Sequence, residues 1–168
     1  MKRGLWLIPA LLLATVWWIA AGGPRNIAAA GAMQMQTRVA VTPDMVNFGP
    51  PPAFVPPGAQ LAVLQGDPMA MSGDYTVRLK MPDGYRFPPH WHPKRENVTV
   101  ISGTFRVGMG DRFDEAKLNA YPAGSFAIME AGMHHFGQAS GETVVQIHGQ
   151  SPLQITYVNP QDDPSRKQ

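Results

Sequence analysis

The 168-residue chain contains no cysteine. That excludes disulfides, a lipid-modified cysteine and thiolate metal ligands. A folded form must therefore rest on an apolar core, on a metal held by other donors, or on an oligomer. Charge is also scarce, with 14 Lys and Arg against 12 Asp and Glu. Outside residues 1–30, which contain Lys2, Arg3 and Arg25, 11 basic residues remain against the same 12 acidic ones. No basic patch survives to argue for nucleic acid. The length allows one domain with a real core and is too short for two comfortable ones.

One long hydrophobic run exists, and it is N-terminal. Lys2 and Arg3 precede an uncharged apolar stretch from Leu5 to Ala21, and Ala28-Ala29-Ala30 offers a small-residue cleavage site before Gly31. This is the layout of a secretory signal. The run is longer than most signal cores and sits at the short edge of a bilayer span, so a retained anchor over residues 1–30 is the alternative. Lys2 and Arg3 hold the N-terminus inside, and in both cases the rest is exported. The expected location is periplasmic or secreted, with membrane attachment only through an uncleaved N-terminal segment.

Residues 31–58 are rich in Pro, Gly, Ala and Met. The stretch "GPPPAFVPPG" (49–58) cannot form a helix or a central strand, because its prolines remove donors and fix φ. It reads as an arm packed over the domain through Phe48, Phe54 and Val55. From Ala59 to Val158, short β-type runs alternate with turn residues: 60–65, 75–81, 97–102, 104–109, 125–129, 143–148 and 153–158. That rhythm predicts an all-β sandwich or small barrel. "FDEAKL" (113–118) alone has helical character, and residues 159–168 read as a frayed polar tail.

The segment "GYRFPPHWHPKRENVTVISG" (84–103) holds two of the five histidines and the chain's one tryptophan outside the N-terminal segment. On a strand, residues two apart share a face. His90 and His92 therefore project together, about 6.6 Å apart at Cα. Two imidazoles that close can converge on one metal, with Glu96 adding an oxygen after the turn. Pro88, Pro89 and Pro93 stiffen the stretch. His134 and His135 follow a glycine turn, and as neighbours on a strand at most one of them reaches the interior. By itself an H-x-H pair also fits surface or core histidines. Trp91 must point away from His90 and His92, which suits packing or an oligomer contact such as a homodimer. Phe87, Phe126, Phe136 and Met133 are expected in the core, and Arg78 and Lys80 on a solvated face. Gln146 and His148 share one face of their strand. If that face lines a barrel they are candidate substrate contacts or partners of the ligands, and otherwise they have no special role.

The glycines complete a pattern that resembles the cupin superfamily. Its first motif, G-x5-H-x-H-x3-E-x6-G, is met at every interval by Gly84, His90, His92, Glu96 and Gly103. Its second, G-x5-P-x-G-x2-H-x3-N, is met by Gly124, Gly132 and His135, while Glu130 stands at the proline and Ala139 at the asparagine. Those two departures touch turn geometry rather than ligands. The resemblance spans about Ala59 to Val158. It implies a jelly-roll barrel holding a divalent metal through His90, His92, Glu96 and His135, the motif spacing selecting His135 over His134. Three imidazoles and a carboxylate suit Mn, Fe, Ni, Cu or Zn and leave positions open for substrate. The segment is also similar to the cupin domain of zinc-binding anti-sigma factors. Those need a separate His/Cys module, and a chain without cysteine is not expected to act as one.

Ligands do not name a reaction, and this fold hosts many. The expectation is a small metal-dependent oxidoreductase of the dioxygenase type, acting on a small molecule, with Glu96 both ligand and base. The alternative is a cupin that captures a small molecule or metal without chemistry. No nucleophile–base pair or phosphate loop favours hydrolysis.

Overall fold

The computed structural model describes residues 39–167. The signal or anchor expected over residues 1–30, and the start of the arm, lie outside the described residues.

Eight strands carry the fold: β1 (Gln60–Gln65), β2 (Asp74–Met81), β3 (Arg86–Trp91), β4 (Glu96–Met109), β5 (Asn119–Pro122), β6 (Phe126–Met129), β7 (His135–Gln150) and β8 (Thr156–Tyr157). All pairings are antiparallel. β4 and β7 are each long enough to serve two layers. The later half of β7 lies between β2 and the first half of β4, extended by β1 on one side and β6 on the other. The early half of β7 lies between β3 and the second half of β4, extended by β8 and β5. The all-β barrel predicted from the alternation of β-type runs and turns is present, in the jelly-roll arrangement that the cupin resemblance implies.

The expectation of separate strands at 97–102 and 104–109 needs correction, because "SG" bends one strand instead of ending it. Register shifts flank Ser102, Gly103 takes φ +73°, and Gly141 opposite takes φ +70°. A Cβ on Gly103 would come within 2.4 Å of the Glu142 carbonyl oxygen, so only glycine lets the two corners nest. Thr143, fully buried, donates to the carbonyls of Thr104 and Gly141 at 3.1 Å and ties the corner together.

Period-2 alternation sets the core. Tyr75, Val77, Leu79 and Met81 of β2 point inward with Val145 and Ile147 of β7. Arg78 and Lys80 point outward, where Arg78 donates to Gln146 and Lys80 pairs with Glu142. Gln146 and His148 thus lie on the outer face. His148 bonds Thr76 across the strands at 3.0 Å. They do not line the barrel, since Val145 and Ile147 take that face. Phe126 and Met133 also depart from expectation, being 59% and 37% exposed. In "FAIM" both faces are apolar, and Met129 takes the interior. Phe87 and Phe136 are buried as expected.

The proline-rich stretch is held by its carbonyls, the groups that proline leaves intact. Tyr85 donates to Pro56 O and Tyr157 to Phe54 O, while Val55 is buried. Only Thr156–Tyr157 of the run 153–158 is strand, and the polar tail forms short 3-10 turns at Pro160–Asp162 and Pro164–Lys167. "FDEAKL" supplies one exposed 3-10 turn, Glu115–Lys117, capped by Asp114.

Candidate metal centre

The candidate residues sit where β3, β4 and β7 approach each other. Two consecutive prolines shape the end of β3. Neither Pro88 nor Pro89 can donate to the ladder, and the register with β7 slips between Phe87 and His90. The slip turns His90 inward, directly opposite His135. Pro88 O accepts from the His90 ring and Pro89 O from the Val158 amide, so the carbonyls that the prolines retain are used.

His90, His92, Glu96 and His135 are all buried. The ring centroids of His90 and His135 are 4.2 Å apart, those of His90 and His92 5.1 Å, and those of His92 and His135 5.2 Å. One nitrogen from each lies within 4.8 Å of the other two. Donors on one ion stand about 3 Å apart, so side-chain rotations of about 1 Å bring the three to a shared point. Glu96 Oε2 is 3.4 Å from His92 Nε2.

Each of the three rings is oriented the same way. His90 Nδ1 is 2.7 Å from Pro88 O, His92 Nδ1 is 2.7 Å from Gln154 O, and His135 Nδ1 is 2.9 Å from Met133 O. A carbonyl only accepts, so each Nδ1 carries the proton and each Nε2 presents a lone pair inward. Among the described residues, His92 Nε2 is the one buried side-chain nitrogen or oxygen with no hydrogen-bond partner. It faces the Glu96 carboxylate, which is also an acceptor. Two acceptors buried at this distance need a cation between them, either a proton or a metal ion. A proton accounts for one imidazole, whereas three converging lone pairs and a carboxylate are the donor set of a transition metal. The residues present fit the metal.

Burial, then the proximity of His135 and His92, pushes the His90 pKa well below its ordinary value. Burial also lowers that of His135, against an opposing pull from the Glu96 charge. Both rings are thereby kept neutral, as ligation requires.

The strand neighbours of these histidines pair on the outside. Trp91 and His134 stack with centroids 6.4 Å apart and planes 18° from parallel, and His134 Nδ1 lies 2.6 Å from Asp111 Oδ1. His134 is therefore separated from the cluster by the sheet. Gln146 and His148 are not near it either. The carbonyl acceptors Pro88, Met133 and Gln154 were not foreseen. For two of them the signal was local, since each lies two residues before its histidine.

Beside the histidines lies a cavity of about 50 Å³. Its polar lining consists of His90, His92, Glu96 and His135, and its walls include Leu79, Phe87, Phe105, Met129 and Ile147. This is room for a few waters or a small molecule, well under the volume usual for larger ligands.

With the geometry in place, comparison with known proteins identifies the family. The model of the ChrR cupin-like domain matches residues 36–154. No curated protein matches the chain. Among solved structures, the polyketide cyclase RemF from Streptomyces resistomycificus superposes with a TM-score of 0.62 at 13% identity, covering 77% of this chain and 92% of its own. A candidate acetylacetone dioxygenase from Methylibium petroleiphilum PM1 gives 0.56 at 20% identity, covering 76% and 85%. An RmlC-like cupin from Ralstonia eutropha JMP134 gives 0.55 at 17%, covering 74% of each chain. At these identities the structures share a fold. The chain belongs to the family of ChrR cupin-like domains.

Proposed function

We propose that this is an exported cupin that holds one divalent metal through His90, His92, Glu96 and His135 and uses it for dioxygenation of a small enolic or phenolic compound. The observation that carries the metal is the buried, unpartnered His92 Nε2 aimed at Glu96. Export is supported by Lys2 and Arg3 ahead of the apolar run from Leu5 to Ala21.

The chain's own residues divide the work simply. His90, His92 and His135 present lone pairs oriented by backbone carbonyls. The apolar walls exclude water and select a small, weakly polar substrate. Glu96 is the one carboxylate at the cavity, so it takes the proton when an enol or phenol binds as its anion. A bound divalent metal would supply Lewis acidity and, if redox-active, a relay for electrons passing from the substrate, which is oxidised, to dioxygen. Both atoms of dioxygen enter the cleaved product, so no external reductant is needed. The name of the Methylibium relative supports a diketone-like substrate class, its enol being small, planar and acidic.

The non-catalytic alternative draws on the same cavity, where no titratable group outside the ligand set is available for further steps. Elemental analysis of protein from its native compartment, followed by oxygen uptake across 1,3-diketones, enols and phenols, separates the two. Uptake that depends on the metal and on one substrate class supports the oxygenase. Tight binding of such compounds with no uptake under any metal supports capture.

A further inference from the structure

Tyr75 on β2, Gly149 on β7 and Glu96 on β4 stand opposite one another in a single cross-strand row. Residues in such a row project to the same face, and here that face is the barrel interior, where Tyr75 and Glu96 are both buried. The middle position has no side chain, and the tyrosine ring lies over it. A Cβ on Gly149 would fall 2.8 Å from Tyr75 Oη and 3.0 Å from Cζ. Neighbouring strands are about 4.8 Å apart, so two strand spacings separate Tyr75 from Glu96. A phenol whose hydroxyl lies over the glycine has covered the first of those two spacings. Tyr75, His92 and Glu96 also line one small, partly open void of about 10 Å³, room for a single water, which Lys94, Arg95 and Gln150 border as well.

We propose that Tyr75 is a positioning residue for Glu96. Its hydroxyl donates across Gly149, through one water in that void, to the carboxylate oxygen turned away from the histidines, and so fixes which oxygen faces the metal site. The inference rests on the reading of Glu96 as a ligand. Burial, then the Glu96 charge, raises the Tyr75 pKa above its ordinary value, consistent with a phenol that keeps its proton and acts as donor. Ligating carboxylates are themselves held by hydrogen bonds, and losing such a partner weakens metal affinity by about 10–100-fold. Gly149 is the companion residue, because any side chain there displaces the phenol.

The test uses full-length protein stripped of metal and titrated separately with Zn²⁺ by calorimetry and with Co²⁺ by visible absorption. Y75F is expected to weaken both about tenfold and to shift the Co²⁺ bands. G149A is expected to act in the same direction. In an E96A background, Y75F should have no further effect. If Y75F binds both metals as wild type with unchanged bands while E96A binds them weakly, the positioning role is wrong and Glu96 remains a ligand. A further tenfold loss from Y75F on top of E96A also overturns it, since Tyr75 then acts elsewhere. If E96A itself binds as wild type, the ligand reading fails first.

Discussion

His90 and His135 are direct cross-strand partners, one near the end of β3 and the other at the start of β7, with ring centroids 4.2 Å apart. Their sequence neighbours Trp91 and His134 stack on the opposite face of the same sheet. One ladder position therefore separates an inner, ligand-like pair from an outer, solvent-facing one. The first prediction follows. His92→Ala is expected to abolish stoichiometric metal binding, and His134→Ala to leave it within about twofold of wild type, as read by calorimetry on chelator-stripped protein. Loss of binding in the His134 variant with retention in the His135→Ala variant would reverse the assignment.

The second prediction concerns acid. The folded-state pKa values of His90 and His135 are both depressed, chiefly by burial. A histidine in the unfolded chain titrates near 6.5. Below that value the unfolded state binds protons that the folded state does not, so stability falls as pH falls. Above it neither state is charged, and these groups contribute no slope. Metal-free protein should hold a flat melting temperature from about pH 7.5 to 8.5 and lose it progressively below about 6.5. Metal should move that loss to lower pH, because it competes with protons for the same lone pairs. A melting temperature that rises on acidification would mean that the buried rings are charged in the fold.

The third prediction tests the corner. Gly103→Ala places a methyl 2.4 Å from the Glu142 carbonyl at a φ that L-residues rarely adopt. The expected cost is about 2–4 kcal/mol, measured by urea unfolding. Gly84→Ala makes a useful control, since it shares the positive φ but meets nothing within 4 Å. It should cost only the backbone strain, about 1–2 kcal/mol.

The contrast between these glycines shows what was legible in the sequence. Gly84 and Gly103 both read as turn residues, and their spacing from the histidines pointed to the family. Yet Gly103 bends a continuous strand because its partner corner, Gly141 to Thr143, lies some 40 residues away, and no local pattern reports that contact. Facing was readable where one side of a strand is polar, as in β2, and unreadable in "FAIM", where both sides are apolar. The same limit governs Gln146 and His148, whose polarity fitted either face until Val145 and Ile147 were seen to occupy the interior. The histidine cluster was legible because its members lie close in sequence or in a spaced motif. The row Tyr75–Gly149–Glu96 was not, since it exists only in the register of three strands.

Location gives the fourth prediction. Fractionation of cells expressing the tagged full-length protein should place it outside the cytoplasm, either shortened by about 30 residues or membrane-bound at full length. Intact soluble protein in the cytosol would contradict the export reading.

The last prediction joins metal to stability. A domain of this size is expected to be stable by only about 5–15 kcal/mol. A ligand that binds the folded state alone adds RT ln(1 + [M]/Kd), about 4 kcal/mol at a thousandfold excess over Kd. The metal would also add a cross-link between residues 90–96 and residue 135, which the His90–His135 ladder position and the Gly132 amide donating to His92 O already bring together. Chelation should therefore lower the melting temperature by on the order of 10 °C. It should not unfold the protein at room temperature, because Val77, Met81, Tyr85, Val100 and Ala139 are core residues that do not line the cavity at the site. Calorimetry before and after chelation, with metal content verified, reads this directly. An unchanged melting curve after verified removal would mean that the ion contributes nothing to stability, and complete unfolding would mean that the apolar strands cannot hold the barrel alone.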